Sequence, residues 1–278
     1  MSQSEANVLV PVDFDEQSLI GLRQSYIYAK FIHAAITLVY IIENESEDVQ
    51  SAKDRLDRLA KDVELESGIK TSTIISKGNP FIEISKVAKD INALMIIMGF
   101  NSSLGVRKII GPNAFQLVRE APCHVLTIKG KQPYRDTVKT IILPLDLSRE
   151  SREKVVHGVE FAKYFGSNIR IAATLTSNDE FKENRMVAYA NQAKKFVKEK
   201  GIRCGNKTLR GRNVPKMIVD YANESNADLI ILVNQEELGF AEVFTGSEQQ
   251  RVVSMSNVPV LTVRPVPRKD TSTFTQPF

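Results

Sequence analysis

The chain has 278 residues, 42% hydrophobic and 25% charged, with 14 Gly and 11 Pro, a balance that excludes a fibrous or mainly disordered protein. At this length two cores are expected rather than one. The net charge of +4 divides into about −1 over residues 1–134 and +5 over the rest. The densest basic stretch, Lys194, Lys195, Lys198, Lys200 and Arg203, lacks the interleaved aromatics of a nucleic-acid groove and reads as a solvated helix face.

In chain order, residues 8–12 form a short apolar run closed by Asp13. Leu19, Leu22, Tyr26 and Ala29 then fall on one helical stripe. Residues 36–42 form a second apolar run, followed by a stripe of Leu56, Leu59 and Val63 that Leu65 extends. Pro80 marks the start of another helix, where a missing N–H costs nothing, and Ile84, Val87 and Ile91 form its buried face. Residues 94–98 and 125–128 are again continuous runs of Val, Ile, Leu and Met, as strands buried on both faces require. Between them lies a loop with Gly99, Gly105 and Gly111 leading into a helix over residues 114–120.

From residue 138 the pattern repeats. Asn7-Val-Leu-Val-Pro-Val-Asp13 returns as Thr140-Ile-Ile-Leu-Pro-Leu-Asp146, Asn92-Ala-Leu-Met-Ile-Ile-Met98 as Asn226-Ala-Asp-Leu-Ile-Ile-Leu232, and Val125-Leu-Thr127 as Val260-Leu-Thr262. Gly111 finds Gly246, Pro80 finds Pro215, and Val155, Val159 and Ala162 repeat the first helical stripe. The expectation is an α/β protein of two tandem, doubly wound domains, each a five-stranded parallel sheet flanked by four helices. The first spans 1–132 and the second 138–264, with a linker over 129–137. Residues 265–278, rich in Pro, Ser and Thr, form a tail without fixed structure. No run reaches the roughly 18 apolar residues of a spanning helix, and the polar start of the chain lacks a secretory signal. A cytoplasmic protein without membrane contact is therefore expected.

In a doubly wound sheet the ligand crevice lies beyond the carboxyl ends of the strands, where strand order reverses. Asp13 and Asp146 close strands at that end. A glycine-bearing loop running into a helix N-terminus offers backbone N–H groups and a positive dipole to a phosphate; such glycines also serve as plain turn residues, and both aspartates are equally suited to capping the next helix. His33, His124 and His157 share no ligand spacing. Cys123 and Cys204 lack a Cys-x-x-Cys spacing and are read as reduced.

The strand ending Val10-Pro-Val-Asp13, the loop opened by Met98-Gly99, the closing Gly111 and Ala121-Pro-Cys-His-Val-Leu-Thr127 together resemble the universal stress protein family. Leu143-Pro-Leu-Asp146, Gly246-Ser247 and Val258-Pro-Val-Leu-Thr262 mark the second copy. The resemblance implies a Rossmann-like layer, pairing of the two copies through their last strands, and room for a homodimer. It also implies ATP, with magnesium, as the ligand of nucleotide-binding members. By position Asp13 would hold the adenosine and backbone near Val39 would meet the base. Gly99, Ser102, Gly105 and Gly111 would form the phosphate loop, and Asn113 would add a side-chain contact.

The chain departs from the family pattern. Ser102 occupies the second glycine position, and Pro112 replaces a hydroxyl residue, deleting two donors. In the second copy Val233 and Glu236 stand for the two glycines, and a carboxylate beside a triphosphate is repelled by about 1 kcal/mol at 4 Å even in water. ATP is thus expected, if anywhere, in the first copy. Two functions stand side by side: a stress-response regulator binding an adenine nucleotide, or a scaffold whose sites are both degenerate. Catalysis beyond incidental ATP hydrolysis is not expected, since no Walker loop or Gly-x-Ser-x-Gly elbow is present.

Overall fold

The computed structural model of the chain describes residues 6–44, 46–100, 112–130, 136–148, 150–233 and 246–264. Two compact units, Met1–Asp136 and Thr137–Phe278, divide it. The first runs β1 (Ala6–Pro11), α1 (Glu16–Phe31), β2 (Ala34–Ile42), α2 (Val49–Ser67), β3 (Thr71–Lys77), α3 (Pro80–Asp90), β4 (Met95–Phe100), α4 (Pro112–Glu120) and β5 (His124–Lys129). The second repeats it as β6 (Thr140–Leu145), α5 (Glu150–Phe165), β7 (Asn168–Leu175), α6 (Glu180–Glu199), β8 (Cys204–Arg210), α7 (Val214–Glu224), β9 (Leu229–Val233), α8 (Gly246–Met255) and β10 (Val260–Val263).

Strand order is β3-β2-β1-β4-β5 in the first copy and β8-β7-β6-β9-β10 in the second. The paired strands are parallel, and even the register repeats: Val8 lies beside Met95 as Ile141 lies beside Leu229. Order reverses between β1 and β4, and between β6 and β9, so each copy has the switch point at which such sheets bind ligands. The central strands carry fully buried Val8, Leu9, Ile96 and Ile97, answered by Ile141, Ile142, Ile230 and Ile231. Helix starts are fixed by side-chain caps: Asp15 accepts from the Ser18 N–H, Asp48 from Ser51, Asn79 from Phe81, and Asp179 from Phe181. Pro80 and Pro215 stand in the first turns of α3 and α7 as expected.

Two stripes differ from expectation. On α1, Leu19 is 38% exposed, while Gln17, Ser18, Gly21, Gln24 and Ser25 are buried beside Leu22 and Ala29. Around Gly21 this helix lies so close to the sheet that small and hydrogen-bonding residues share its inner face with Leu22, Ile27 and Tyr28. Leu65 is 85% exposed, because two residues beyond the buried Val63 the helix has turned by about 200°. Among the described residues, no helix is long and apolar enough to cross a membrane.

Candidate functional site

The carboxyl ends of β1 and β6 carry the same turn, written twice as Asp-x-(Asp/Ser)-x-x-Ser. In the first copy Asp13 Oδ1 accepts the Asp15 N–H at 3.0 Å, Asp15 Oδ1 accepts the Ser18 N–H at 2.6 Å, and the Asp13 N–H donates to Ser18 Oγ at 3.3 Å. In the second, Asp146 Oδ1 accepts the Ser148 N–H at 2.8 Å, the Ser151 N–H donates to Ser148 Oγ at 3.3 Å, and the Asp146 N–H donates to Ser151 Oγ at 3.1 Å. Capping therefore falls to Asp15 and Ser148, and the two strand-end aspartates shape the turn ahead of the cap. This corrects the reading of Asp13 and Asp146 as helix caps.

The two carboxylates then part company. Asp13 is exposed. Partial burial raises its pKa, but the Ser18 hydroxyl and the Asp15 N–H outweigh that and hold the carboxyl below its ordinary 3.8. Asp146 is only 7% exposed, and its Oδ1 also takes the Ser151 hydroxyl at 2.7 Å. One aspartate is turned outward and ionised; the other is bonded into the protein.

Beside Asp13, Phe14 adopts φ 64°, a left-handed backbone that a bulky side chain rarely accepts. Its ring lies 3.7 Å from Arg55 Cζ and 5.4 Å from the Tyr40 ring, while the Tyr40 hydroxyl donates to Glu47 at 2.7 Å. Burial, followed by that bond, pushes the Tyr40 phenol up to about 12. Val39 is fully buried, and its carbonyl accepts the Val12 N–H at 2.9 Å.

Gly99 closes β4 against α1. A Cβ there would run into the Gln17 carbonyl group, and one on Gly21 would come within 2.9 Å of Gly99 Cα. The two glycines let helix and strand meet backbone to backbone, as close helix–strand packing in such folds requires. Gln17 completes the contact by donating to the carbonyls of Ile128 and Gly130 at 3.5 and 3.4 Å. Sequence reasoning passed over Gly21, although a glycine at the centre of a helical pattern was a visible signal.

At the equivalent positions of the second copy both glycines are gone, replaced by Lys154 and Val233. Lys154 is 5% exposed and donates from Nζ to the Pro144 carbonyl at 2.7 Å. Gln249 on α8 donates to the Val233 carbonyl at 2.6 Å. Burial raises the Glu248 carboxyl above its ordinary value, Arg251 opposes this, and the charge of Asp146 adds to it.

Of the expected site residues, Asp13 stands just beyond β1 and Gly99 near the end of β4, the two strands of the switch point, while Val39 lies on β2, on the other side of β1. Ser102, Gly105 and Gly111 lie outside the described residues, as do Glu236 and the tail. Asn113 stands in the first turn of α4, which begins at Pro112, two residues before the expected start. His33 is exposed, His124 half-buried and His157 buried in three separate elements. Among the described residues no three His, Cys, Asp or Glu side chains group as metal ligands. Cys123 and Cys204 form no disulfide, and burial pushes the Cys204 thiol up to about 11.

The sequence profile of the Universal stress protein family matches twice, over residues 6–129 and 137–264. A universal stress protein of Methanocaldococcus jannaschii is 27% identical over 148 residues, 48% of this chain and 85% of that protein. The fold is shared with the crystal structure of a universal stress protein from Archaeoglobus fulgidus, with TM-score 0.73, 19% identity and coverage of 93% of this chain and 96% of that one. A putative universal stress protein from Pseudomonas aeruginosa superposes with TM-score 0.71 at 18% identity, covering 94% of both chains. With its strands, its turns and its register all written twice, this chain belongs to the universal stress protein family as a tandem of two domains.

Proposed function

We propose that the first copy binds an adenine nucleotide, ATP with magnesium, at the β1–β4 switch point, and that the protein is a cytoplasmic stress-response regulator rather than an enzyme. The observation that carries this reading is the contrast between the aspartates: Asp13 is exposed and held ionised, while Asp146 is buried on the Ser148 N–H and the Ser151 hydroxyl. An outward carboxylate at a strand end suits the paired hydroxyls of a ribose. The base would lie toward Val39, and the phosphates would lie on the loop of Gly99, Ser102, Gly105 and Gly111, with Asn113 at the helix start. Magnesium would be carried in on the phosphates. In the cytoplasm the Cys123 and Cys204 thiols stay reduced.

Thermal unfolding with and without Mg-ATP tests the reading. At about 100 times its dissociation constant a ligand stabilises by roughly 2.7 kcal/mol, a shift of several degrees. Asp13→Ala should abolish the shift and Asp146→Ala should leave it, with no phosphate release above background in either sample. The absence of a shift at millimolar Mg-ATP would overturn nucleotide binding.

A second reading is favoured by Lys154 and Val233, which occupy in the second copy the positions of the glycine pair. On it both sites are degenerate, and the protein is a scaffold whose copies pair through β5 and β10. An unchanged melting temperature together with a homodimer in light scattering would support it.

A further inference from the structure

The second copy holds a cleft of about 170 Å³ between α5 and α6, lined by Leu147, Ser148, Arg152, Arg185, Ala188 and Tyr189. The duplication shows what stands in the same place in the first copy. Counting along the repeat, Leu147 answers Phe14, Arg152 answers Leu19, Ala173 answers Tyr40 and Ala188 answers Arg55. There, Arg55 lies over the Phe14 ring and Phe14 packs on Tyr40, so side chains occupy the space. In the second copy the ring of Phe14 is exchanged for Leu147 and that of Tyr40 for Ala173. Arginine moves from the interior of the contact to its two edges.

The chemistry of the cleft is specific. Arg152, in the first turn of α5, and Arg185, in the second turn of α6, belong to different helices, and neither has an acidic partner among the described residues. Arg185 Cζ lies 5.8 Å from the centre of the Phe181 ring. The charge of Asp146 acts on Tyr189 against that of Arg152, and Asp146 Oδ1 is already bonded to the Ser148 N–H and the Ser151 hydroxyl. Leu147, Ala188 and the Tyr189 ring supply apolar walls. Guanidinium forks match carboxylate and phosphate oxygens in pairs. The volume lies below the roughly 300 Å³ of sites for drug-sized ligands, which sets a small ligand and excludes a nucleoside triphosphate.

We propose that this α5–α6 cleft binds a small organic anion, a carboxylate or phosphate monoester whose apolar body lies against Leu147, Ala188 and Tyr189 and whose charge is held by Arg152 and Arg185. It is separate from the crevice proposed for the nucleotide, being in the other copy. Benzoate, phenyl phosphate and neutral benzamide, titrated into the full chain and followed by amide NMR, test it. At least one anion should give saturable shifts at Ser148, Arg152 and Ala188, at least about tenfold tighter than benzamide. Whichever anion binds tighter assigns the class. Arg152→Gln and Arg185→Gln should each weaken it about tenfold or more, and Asp13→Ala should leave it unchanged. Equal binding of benzamide, no saturable shift with either anion at millimolar concentration, or an unaltered affinity in the folded double variant would overturn the site.

Discussion

The two copies agree where the chain must turn and differ where helix meets strand. Both keep the aspartate, the cap and the serine five residues on, and the three backbone N–H bonds of the turn fall in the same places. The first copy brings α1 onto β4 through Gly21 and Gly99; the second places Lys154 and Val233 at those positions. Both copies keep the turn, whereas the glycine pair of one is a lysine and a valine in the other. The glycine pair decides something else, namely whether the strand ends open onto backbone and an exposed carboxylate or are filled by side chains.

The sharpest way to break this comparison is to exchange the pair one residue at a time. Gly99→Val puts side-chain atoms into the Gln17 carbonyl group of an adjoining backbone, which cannot give way as a side-chain tip would. We expect a loss of about 3 kcal/mol or more for the first copy, at the upper end of overpacked cores. Gly21→Lys should cost a similar amount. The double variant, which rebuilds the arrangement of the second copy, should cost less than the sum of the singles by about 1 kcal/mol or more, as for neighbours in contact. Urea unfolding followed by circular dichroism reads these differences. Strict additivity would show that the pair is not a unit.

Much of this was legible in the sequence, and the part that was not has one cause. Strands, prolines and the repeat rest on local pattern, and residues 8–12, Pro80 and Pro215 lie where pattern placed them. Hydrophobicity alone assigns Leu19 to the inner face of α1, where Gly21 brings the helix against β4, and Leu65 to that of α2, where the helical period turns it outward. Local pattern leaves capping by Asp13 and Asp146 open as an alternative, because the true caps, Asp15 and Ser148, are as suitable and stand only two residues on. The contact of Gly21 with Gly99 joins positions far apart in the chain, which no window can see. Reading each copy against the other would have found it, since one lost pair of glycines in the repeat is a contact changing on both sides.

A second prediction of intermediate size concerns Lys154. Its buried Nζ serves the Pro144 carbonyl at 2.7 Å, a donor that Gly21 at the same position of the first copy cannot supply. Lys154→Met keeps most of the volume and removes the donor, leaving a buried acceptor and a cost of about 1–3 kcal/mol. Chemical unfolding of the second copy should show it, and Gly21→Ala, measured alongside, should be costly for steric reasons only. A neutral or stabilising Lys154→Met would mean that the lysine is a tolerated filler and that the two copies differ less than their contacts imply.

The smallest expected effect is the most informative about Asp13. Asp13→Asn keeps Oδ1 as an acceptor for the Asp15 N–H and removes only the charge. Because the folded carboxyl titrates below its ordinary 3.8, its ionised form favours the folded state; that stability is fully present above pH 3.8 and is lost as pH falls through the lower folded value. The side chain is exposed and screened, so the cost of the variant at neutral pH should stay below about 1 kcal/mol. The gap between wild type and variant should close as the solution is acidified below pH 3.8. A gap that instead widened toward acid would mean that burial dominates and that Asp13 is held toward its neutral form, a poor partner for ribose hydroxyls. A gap that closes, with so little stability at stake, leaves the charge of Asp13 free to be satisfied by something other than the fold.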